Sequence, residues 1–241
     1  MMLSASNMPV PDYDDDNDND NGSDPGAKPT SVLLLPAFTV VEHVTPALVP
    51  DLIRYFVNNA VTTTTPLAAA SKTSSSEEES PPTATIPPTP LRAHPSPHAA
   101  VILLCSHRTR DARCGISAPL LKREFERHLR ALGLYRDAHD TRPGGVGVYF
   151  VSHVGGHRYA ANVIVYRRRD FEWYKHGGVD GDAGGKDSGA DEGAAQGIWI
   201  ARVRPEDCEG IVRFTVLQGK VVRPGTQLRG GFDRERGVVS W

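Results

Sequence analysis

The chain has 241 residues, with 23 Gly, 19 Pro and 3 Cys. Three cysteines are too few for a disulfide framework in a chain of this length, which excludes a secreted scaffold held together by disulfides. The formal net charge of −2 conceals an asymmetry, because residues 1–91 contain 3 Lys and Arg against 12 Asp and Glu, whereas residues 92–241 contain 24 against 17. No run approaches the ~18 apolar residues that cross a bilayer, so we expect a soluble protein without a membrane partner.

The amino-terminal part divides into three segments of different composition. Residues 1–30 hold seven Asp between Asp12 and Asp24 and little apolar surface, which predicts a disordered acidic tail. Residues 31–61 combine an apolar run, interrupted by Pro36, with helical spacing from Pro46 onward. This pattern predicts a strand and a helix that dock on the main domain. Residues 62–98 are rich in Ser, Thr and Pro and predict a low-complexity linker or insertion.

The pattern of a folded domain begins at residue 99. An apolar run over 99–104 predicts a buried strand that ends at Cys105. Ser117 is a candidate cap for the helix that follows, with Pro119 in its first turn and Gly133 past its end. Four apolar residues at helical spacing predict the buried face of this helix: Leu121, Phe125, Leu129 and Leu132.

The remainder of the chain adds further strands and a second helix. Residues 146–152 and 160–166 read as strands on either side of a glycine-containing turn, and residues 170–196 read as a flexible Gly and Asp-rich loop. A strand over 198–203 precedes a helix over 205–218 that Gly219 ends. The order β-α-β-β-β-α predicts an α+β fold of the thioredoxin-like sandwich type for residues 99–241.

Four side chains near strand ends are candidates for metal binding. Cys105 and Cys114 flank the loop before the first helix, and His153 and His157 flank a three-residue turn containing two glycines. Thiolate and imidazole together suit zinc, copper or an iron–sulfur cluster. The spacing alone leaves other possibilities open: a structural zinc site in an interaction module, a thiol–disulfide protein that uses the two cysteines, or buried cysteines and polar loop histidines without a ligand.

The same residues resemble a known family. CSHRTRDARCG at 105–115, SHVGGHRYAANVIVY at 152–166, GIWIARVRPEDCEGIV at 197–212 and RGG at 229–231 resemble the sucrase/ferredoxin-like family. The resemblance implies a thioredoxin-like ferredoxin domain that holds a [2Fe–2S] cluster. Carried over position by position, it implies four ligands: Cys105, Cys114, His153 and His157. Trp241 resembles the terminal aromatic residue by which the cytosolic iron–sulfur insertion machinery recognises its clients.

Histidine ligation has electronic consequences. Replacing two thiolates by imidazoles raises the reduction potential of such a cluster, and the outer ring nitrogen can exchange a proton. The sequence therefore predicts a one-electron carrier with a pH-coupled potential and a redox partner protein. Arg108, Arg110 and Arg113 either attract an acidic partner or form a solvated loop, and both interpretations stay open.

Other functions find less support. The sequence contains no Ser-His-Asp motif, no P-loop and no G-x-G-x-x-G with its acidic partner, so an electron carrier is favoured over an enzyme. Cys208 is predicted to be a buried structural thiol, and the run Arg167–Arg169 is predicted to end a strand in solvent. No broad basic face with aromatic platforms indicates nucleic-acid binding. An acidic, Arg-poor amino terminus predicts a cytoplasmic location, with the mitochondrion as the alternative.

Overall fold

A computed structural model of the chain describes residues 2–10, 28–67, 88–152, 154, 158–169 and 192–240. Over these ranges the chain forms a mixed α/β structure with a sheet of seven strands and a sheet of three. The expectation of a mixed fold is confirmed. Among the described residues, no helix has both the length and the apolar character that a membrane span requires.

The three-stranded sheet is built from the segments on either side of residues 68–87. Its strands β1 (Thr30–Leu34), β2 (Thr39–Val44) and β3 (Arg92–Pro95) pair antiparallel in that order. A helical stretch then follows β2, with a 3₁₀ turn at Pro46–Leu48, α1 at Val49–Asp51 and a π-helical turn at Leu52–Val57. The apolar residues buried between this stretch and the sheet are Val41, Val44, Leu52 and Leu91.

The seven-stranded sheet has β4 near its centre. Its strands are β4 (Ala100–Cys105), β5 (Tyr135–Arg136), β6 (Val146–Val151), β7 (Val163–Arg168), β8 (Ala194–Ile200), β9 (Leu228–Asp233) and β10 (Val238–Ser240). They lie in the order β10-β9-β8-β7-β4-β6-β5. β4 runs parallel to β6 on one side and antiparallel to β7 on the other.

Helices cover one face of the large sheet. α2 spans Ala112–Ala131, and a second helical stretch combines a 3₁₀ turn at Pro205–Asp207, α3 at Cys208–Gly210 and a π-helical turn at Ile211–Val216. The short α4 (Pro224–Gln227) precedes β9. Because side chains alternate along a strand, every second residue of β4 faces these helices. The main apolar residues of this layer are Ala100, Ile102, Leu104, Leu121, Phe125, Leu129, Ile211, Val212 and Val216.

The opposite face of the large sheet receives the turn between β1 and β2. Phe38 is fully buried against this face, and the Arg168 guanidinium lies 4.7 Å from its ring centroid. Ala194 N–H donates to the Pro36 carbonyl at 2.6 Å. Gly193 has φ +70°, and a Cβ there would lie 2.4 Å from the Pro36 oxygen, so this close approach requires glycine. The two sheets are therefore in direct contact.

Part of the amino-terminal segment contacts the large sheet. Ser6 forms an antiparallel bridge with Val151, Asn7 N–H donates to the Phe150 carbonyl at 3.3 Å, and Phe150 N–H donates to the Asn7 side chain at 2.7 Å. β5 pairs only with the first two residues of β6, which leaves the end of β6 free to accept this segment. The acidic stretch of the predicted tail, from residue 11 to 27, lies outside the described residues.

The first helix begins earlier than the sequence predicted, so the assignment of Ser117 as its cap is wrong. The cap is Asp111, whose carboxylate accepts the Arg113 N–H at 3.0 Å. Pro119 consequently lies inside α2, where it removes one backbone hydrogen bond. The helix continues because its apolar face is fully packed. The predicted buried positions Leu121, Phe125 and Leu129 are confirmed, with at most 1% exposure.

The prediction that the three consecutive arginines end in solvent is also wrong for two of them. Arg167 donates through Nε to the Val216 carbonyl at 3.0 Å and through a terminal nitrogen to the Leu217 carbonyl at 3.3 Å. These carbonyls belong to the end of a helical stretch, where oxygens lack partners within the helix. Arg168 donates to the carbonyls of Ser96 and His98, both at 3.1 Å.

Two segments described as irregular in sequence contain strands. β3 lies within residues 62–98, and β8 begins at Ala194 rather than at residue 198. Ala194 and Ala195 are buried, yet small residues next to a glycine-rich stretch carry no strand pattern. The loop residues 170–191 lie outside the described residues.

Candidate functional site

The candidate site lies at the carboxyl end of the central strands. Cys105 is the last residue of β4 and is in register with Val151, the last residue of β6. Ser106 N–H donates to the Val151 carbonyl at 2.9 Å, which holds the two strand ends together. His153 follows Val151 by two residues in the sequence. Parallel strands thus bring Cys105 and Ser152, the residue before His153, to the same edge of the sheet.

Cys114 reaches this edge from the first turn of α2. Asp111 caps the helix two residues before Arg113, and Cys114 N–H donates to the Asp111 carbonyl at 3.0 Å. The first turn of a helix presents free N–H groups and partial positive charge, which stabilise a negatively charged group. Because α2 is capped by Asp111, Cys114 lies in its first turn, where the helix favours a negatively charged thiolate.

The two thiols are buried together. Cys105 is 2% exposed and Cys114 is fully buried, and both are free cysteines rather than a disulfide. Burial and, next in size, the neighbouring Cys114 side chain, which is within hydrogen-bonding contact, together raise the pKa of the Cys105 thiol to about 11. Without a metal, the Cys105 thiol is therefore protonated near neutral pH, and a bound cation would take the place of its proton.

Backbone N–H groups act on the Cys105 sulfur in the opposite direction. Those of His107 and Val154 lower the pKa of this thiol by hydrogen bonding to the sulfur. Val154 is 2% exposed and packs in the same apolar cluster as Cys105 and Cys114. Val154 is the second residue of the predicted ligand turn, so the turn adjoins the thiols at this residue. Hydrogen bonds to sulfur are among the features that set the potential of iron–sulfur clusters.

The structure brings together part of the predicted ligand set. Cys105, Cys114 and Val154 meet at the end of the sheet, whereas His153, His157 and the two glycines between them lie outside the described residues. Within the ranges that the structure describes, no three His, Cys, Asp or Glu side chains form a group that could hold a metal ion. Two adjacent buried thiols with N–H donors on one sulfur nevertheless fit thiolate ligation, because they supply soft donors in a water-poor setting.

Comparison with known proteins places this arrangement in a family. The model of the family described as sucrase/ferredoxin-like matches residues 1–230 of the chain. The chain belongs to the sucrase/ferredoxin-like family. No solved structure matches the chain.

Fungal proteins resemble the chain over part of their length. Actin patches distal protein 1 of Saccharomyces cerevisiae is 56% identical over 69 residues, covering 29% of this chain and 22% of that protein. Altered inheritance of mitochondria protein 32 of Clavispora lusitaniae is 35% identical over 126 residues, covering 52% and 33%. The protein of that name from Meyerozyma guilliermondii is 31% identical over 140 residues, covering 58% and 35%. The chain thus spans no more than 35% of these three relatives.

Asn162 supports the site but was not singled out from sequence. It is 1% exposed, its carbonyl accepts the Cys105 N–H at 3.1 Å, and its side chain donates to the Tyr159 carbonyl at 2.6 Å. Trp199 Nε1 donates to the Asn162 side-chain oxygen at 3.3 Å. The sequence signal for this role was an Asn directly before an apolar strand. Such a residue is buried only when its side-chain amide is hydrogen-bonded.

The other sequence candidates have different positions. Cys208 is fully buried in the helical layer, as predicted, and its thiol donates to the Arg204 carbonyl at 3.7 Å. Burial, together with the nearby carboxylates, raises the pKa of Cys208 to about 12. Arg113 is paired with Asp111 through two hydrogen bonds of 3.0 and 2.9 Å. Trp241 lies outside the described residues.

Proposed function

We propose that the chain is an electron-transfer protein that binds a [2Fe–2S] cluster through Cys105, Cys114, His153 and His157. The observation that carries the proposal is the contact between the two buried thiols at the end of β4, with Val154 of the histidine turn against the Cys105 sulfur. Family membership supports a redox role. The ligand set itself comes from the sequence resemblance.

The surroundings of the thiols suit a cluster. Thiolates and imidazoles are ligands that iron–sulfur centres use, and the first turn of α2 favours negative charge beside Cys114. The cluster would supply one-electron transfer, with a potential raised by histidine ligation. Protonation of the outer imidazole nitrogens would couple this potential to pH. A potential that is constant between about pH 6 and 9 contradicts the coupling.

We propose further that the unit around β4 is thioredoxin-like. Three features support this assignment. Four strands lie in the order β6-β4-β7-β8, and β4 and β6 are parallel and joined through α2. The strands β7 and β8 are antiparallel, and the second helical stretch follows them. This arrangement has a helix after its first strand, and that helix begins beside the thiols. A solved structure whose central strands had another order would contradict the assignment.

Anaerobic purification of the full chain tests the cluster directly. Iron, acid-labile sulfide and zinc are measured per chain, and the reduced protein is examined by electron paramagnetic resonance. A coloured protein with about two iron and two sulfide per chain and a signal on reduction supports the proposal. A colourless protein with stoichiometric zinc favours a structural zinc module. A metal-free protein that cycles between Cys105–Cys114 dithiol and disulfide favours a thiol–disulfide function.

A histidine variant tests the ligand set. His157→Cys keeps a soft donor but adds a negative thiolate, so we expect the cluster to be retained with a lower reduction potential. His139→Cys, at an exposed loop position, is the matched control and should leave the potential unchanged. A potential that is equal in both variants and the wild type, or complete loss of the cluster in His157→Cys, contradicts the role of His157.

A further inference from the structure

A concave pocket lies beside the thiol site. Its volume is about 420 Å³, and its lining comes from three separated segments: residues 158–161, residues 202–204 and Arg113 of α2. A volume of this size is in the range of small-molecule sites. Arg113 directly precedes Cys114, so the pocket adjoins the edge of the sheet that bears the thiols. The lining is strongly basic, with the four arginines Arg113, Arg158, Arg202 and Arg204.

Tyr159 organises the guanidinium groups. The guanidinium carbons of Arg202 and Arg229 lie 4.3 and 3.9 Å from the centroid of its ring, and that of Arg158 lies 5.6 Å away. Arg229, the second residue of β9, adds a fifth arginine next to the four that line the pocket. Cation–π attraction compensates only part of the repulsion among such close like charges. This group of arginines therefore has an excess of positive charge.

Two of the four lining arginines have carboxylate partners. Such pairs also occur elsewhere on the surface, as in Arg142–Asp140 and Arg213–Glu209. In the pocket, Arg113 pairs with Asp111 and Arg204 with Glu206, the latter at 3.7 Å.

Two of the lining arginines and the adjacent Arg229 have a different pattern. Arg158, Arg202 and Arg229 make no ion pair with any residue in the described part of the chain. The Nε of Arg229 is buried, and within the same ranges it has no hydrogen-bond partner. The Arg229 guanidinium donates through a terminal nitrogen to the Thr226 carbonyl at 2.7 Å. The positive charges of all three groups have no carboxylate partner among the described residues, so an external anion can balance them.

Backbone strain is concentrated in the same pocket. Ala161 and Arg202 both have positive φ, at 50° and 57°, although neither is glycine. Arg202 N–H donates to the Ala160 carbonyl at 2.9 Å, which ties the two strained segments together. Left-handed conformations disfavour residues with a Cβ and cluster at binding sites, where they fix a side chain in place. Here the strained backbone holds the Arg202 guanidinium over the Tyr159 ring.

We propose that this arginine pocket binds a small molecule that carries a diphosphate group. Three uncompensated guanidinium groups match the two to three negative charges of a diphosphate, whereas a single carboxylate would leave most of the positive charge unbalanced. Planar guanidinium groups also bind phosphate oxygens in a bidentate manner. The concave shape accommodates a compact ligand. This site does not depend on the cluster proposed above, because none of its groups is a predicted cluster ligand.

Calorimetric titration of the full chain with inorganic pyrophosphate tests the proposal. We expect saturable 1:1 binding that weakens with ionic strength, because the contacts are charged. Arg202→Gln and Arg229→Gln should each weaken binding about tenfold by removing a charge-assisted contact. The matched control Arg213→Gln removes an exposed arginine that already has a carboxylate partner and should leave the affinity unchanged. A parallel titration with adenosine diphosphate distinguishes the source of the group: tighter binding than pyrophosphate indicates a nucleotide, and equal binding indicates the diphosphate alone.

A stability measurement separates loss of binding from loss of folding. Arg202→Gly relieves the positive φ, so we expect its Tm to equal or exceed that of the wild type while pyrophosphate affinity falls about tenfold. Absence of saturable binding to the wild type, or equal weakening in Arg213→Gln and in the pocket variants, overturns the proposal. Titration of Cys105→Ser, which cannot supply the predicted ligand set, should give the wild-type affinity. This last result would hold even if the cluster proposal failed.

Discussion

The two ends of β4 differ in how their polar and charged groups are paired. At its amino end, several polar groups are paired: His98 Nε2 is 2.7 Å from the Tyr149 hydroxyl, and Arg168 donates to the carbonyls of Ser96 and His98. His98 Nδ1 is buried there without a hydrogen-bond partner among the described residues. At its carboxyl end, two thiols share a buried position, and the lining of the adjoining pocket includes Arg158 and Arg202, which have no carboxylate partner among the described residues. Paired groups contribute to stability, whereas charges without internal partners are available for ligands. Changes at the two ends should therefore have separable effects.

The largest effect should come from the carboxyl end. Cys105→Ser removes a predicted ligand, and we expect nearly complete loss of iron from a chain that remains folded. Cys208→Ala is the matched control, since Cys208 is equally buried but has no second thiol beside it. Iron per chain and circular dichroism measure the two properties. Wild-type iron content in Cys105→Ser would show that the two ends are not specialised as described.

The amino end should respond in stability instead. Arg168→Met leaves the Ser96 and His98 carbonyls without their donor and removes the contact with the Phe38 ring, so we expect a loss of about 3 kcal/mol in the free energy of unfolding. Iron bound per folded chain should not change. Arg169→Met, next in sequence and in a partly exposed ion pair with Glu235, should cost less than about 1 kcal/mol. Denaturant unfolding of both variants checks the difference.

Acid should weaken the amino end selectively. Burial lowers the pKa of His98 from 6.5 to about 4, and the positive charges of Arg136 and Arg168 act in the same direction. The unfolded chain then binds the proton more readily, so stability is complete above pH 6.5 and falls as the pH decreases toward 4. The expected slope is up to about 1.4 kcal/mol per pH unit. Unfolding of His98→Gln between these values should show a smaller slope, and an identical slope would contradict the assignment.

The smallest effect should come from the thiol outside both ends. Cys208→Ala removes one buried sulfur from the helical layer, and we expect a loss of about 1 kcal/mol in the free energy of unfolding with iron unaffected. Thermal unfolding and iron analysis of the same preparation test both parts. If iron content fell together with the free energy of unfolding in this variant, loss of a buried thiol would be enough to lower iron binding, and a ligand role would not be needed to explain the effect of Cys105→Ser.

Local patterns predicted the elements that local interactions determine. The buried face of α2, the strand that ends at Cys105 and the helical stretch from Pro205 all follow from periodicity and are present in the structure. The start of α2 was missed because several residues between 106 and 117 could cap a helix, and only tertiary contacts select Asp111. Arg167 and Arg168 were missed because their partners lie in carbonyls distant in sequence. The sequence of a charged run therefore does not show whether its side chains are buried.

The site was partly predictable for the same reason. Ends of parallel strands meet, so a position for Cys105 near the end of β6 could be expected, and the structure places Cys114 and Val154 in contact with Cys105. The ligand roles of the two cysteines stay a prediction. The positions of His153 and His157 remain a prediction. The pocket around Tyr159 could not be predicted, since Arg113, Arg158, Arg202 and Arg229 come from four segments without a common motif.

The contact of Ser6 and Asn7 with the end of β6 matters for any shortened version of this chain. An uncovered strand edge offers unpaired amides and carbonyls to neighbouring molecules and promotes aggregation. Composition would assign the first thirty residues to a dispensable tail, but residues 5–7 cover that edge beside the cysteines. Truncation at residue 28 would therefore remove the segment that covers this edge, and the unpaired strand edge that it exposes would lie next to the thiols.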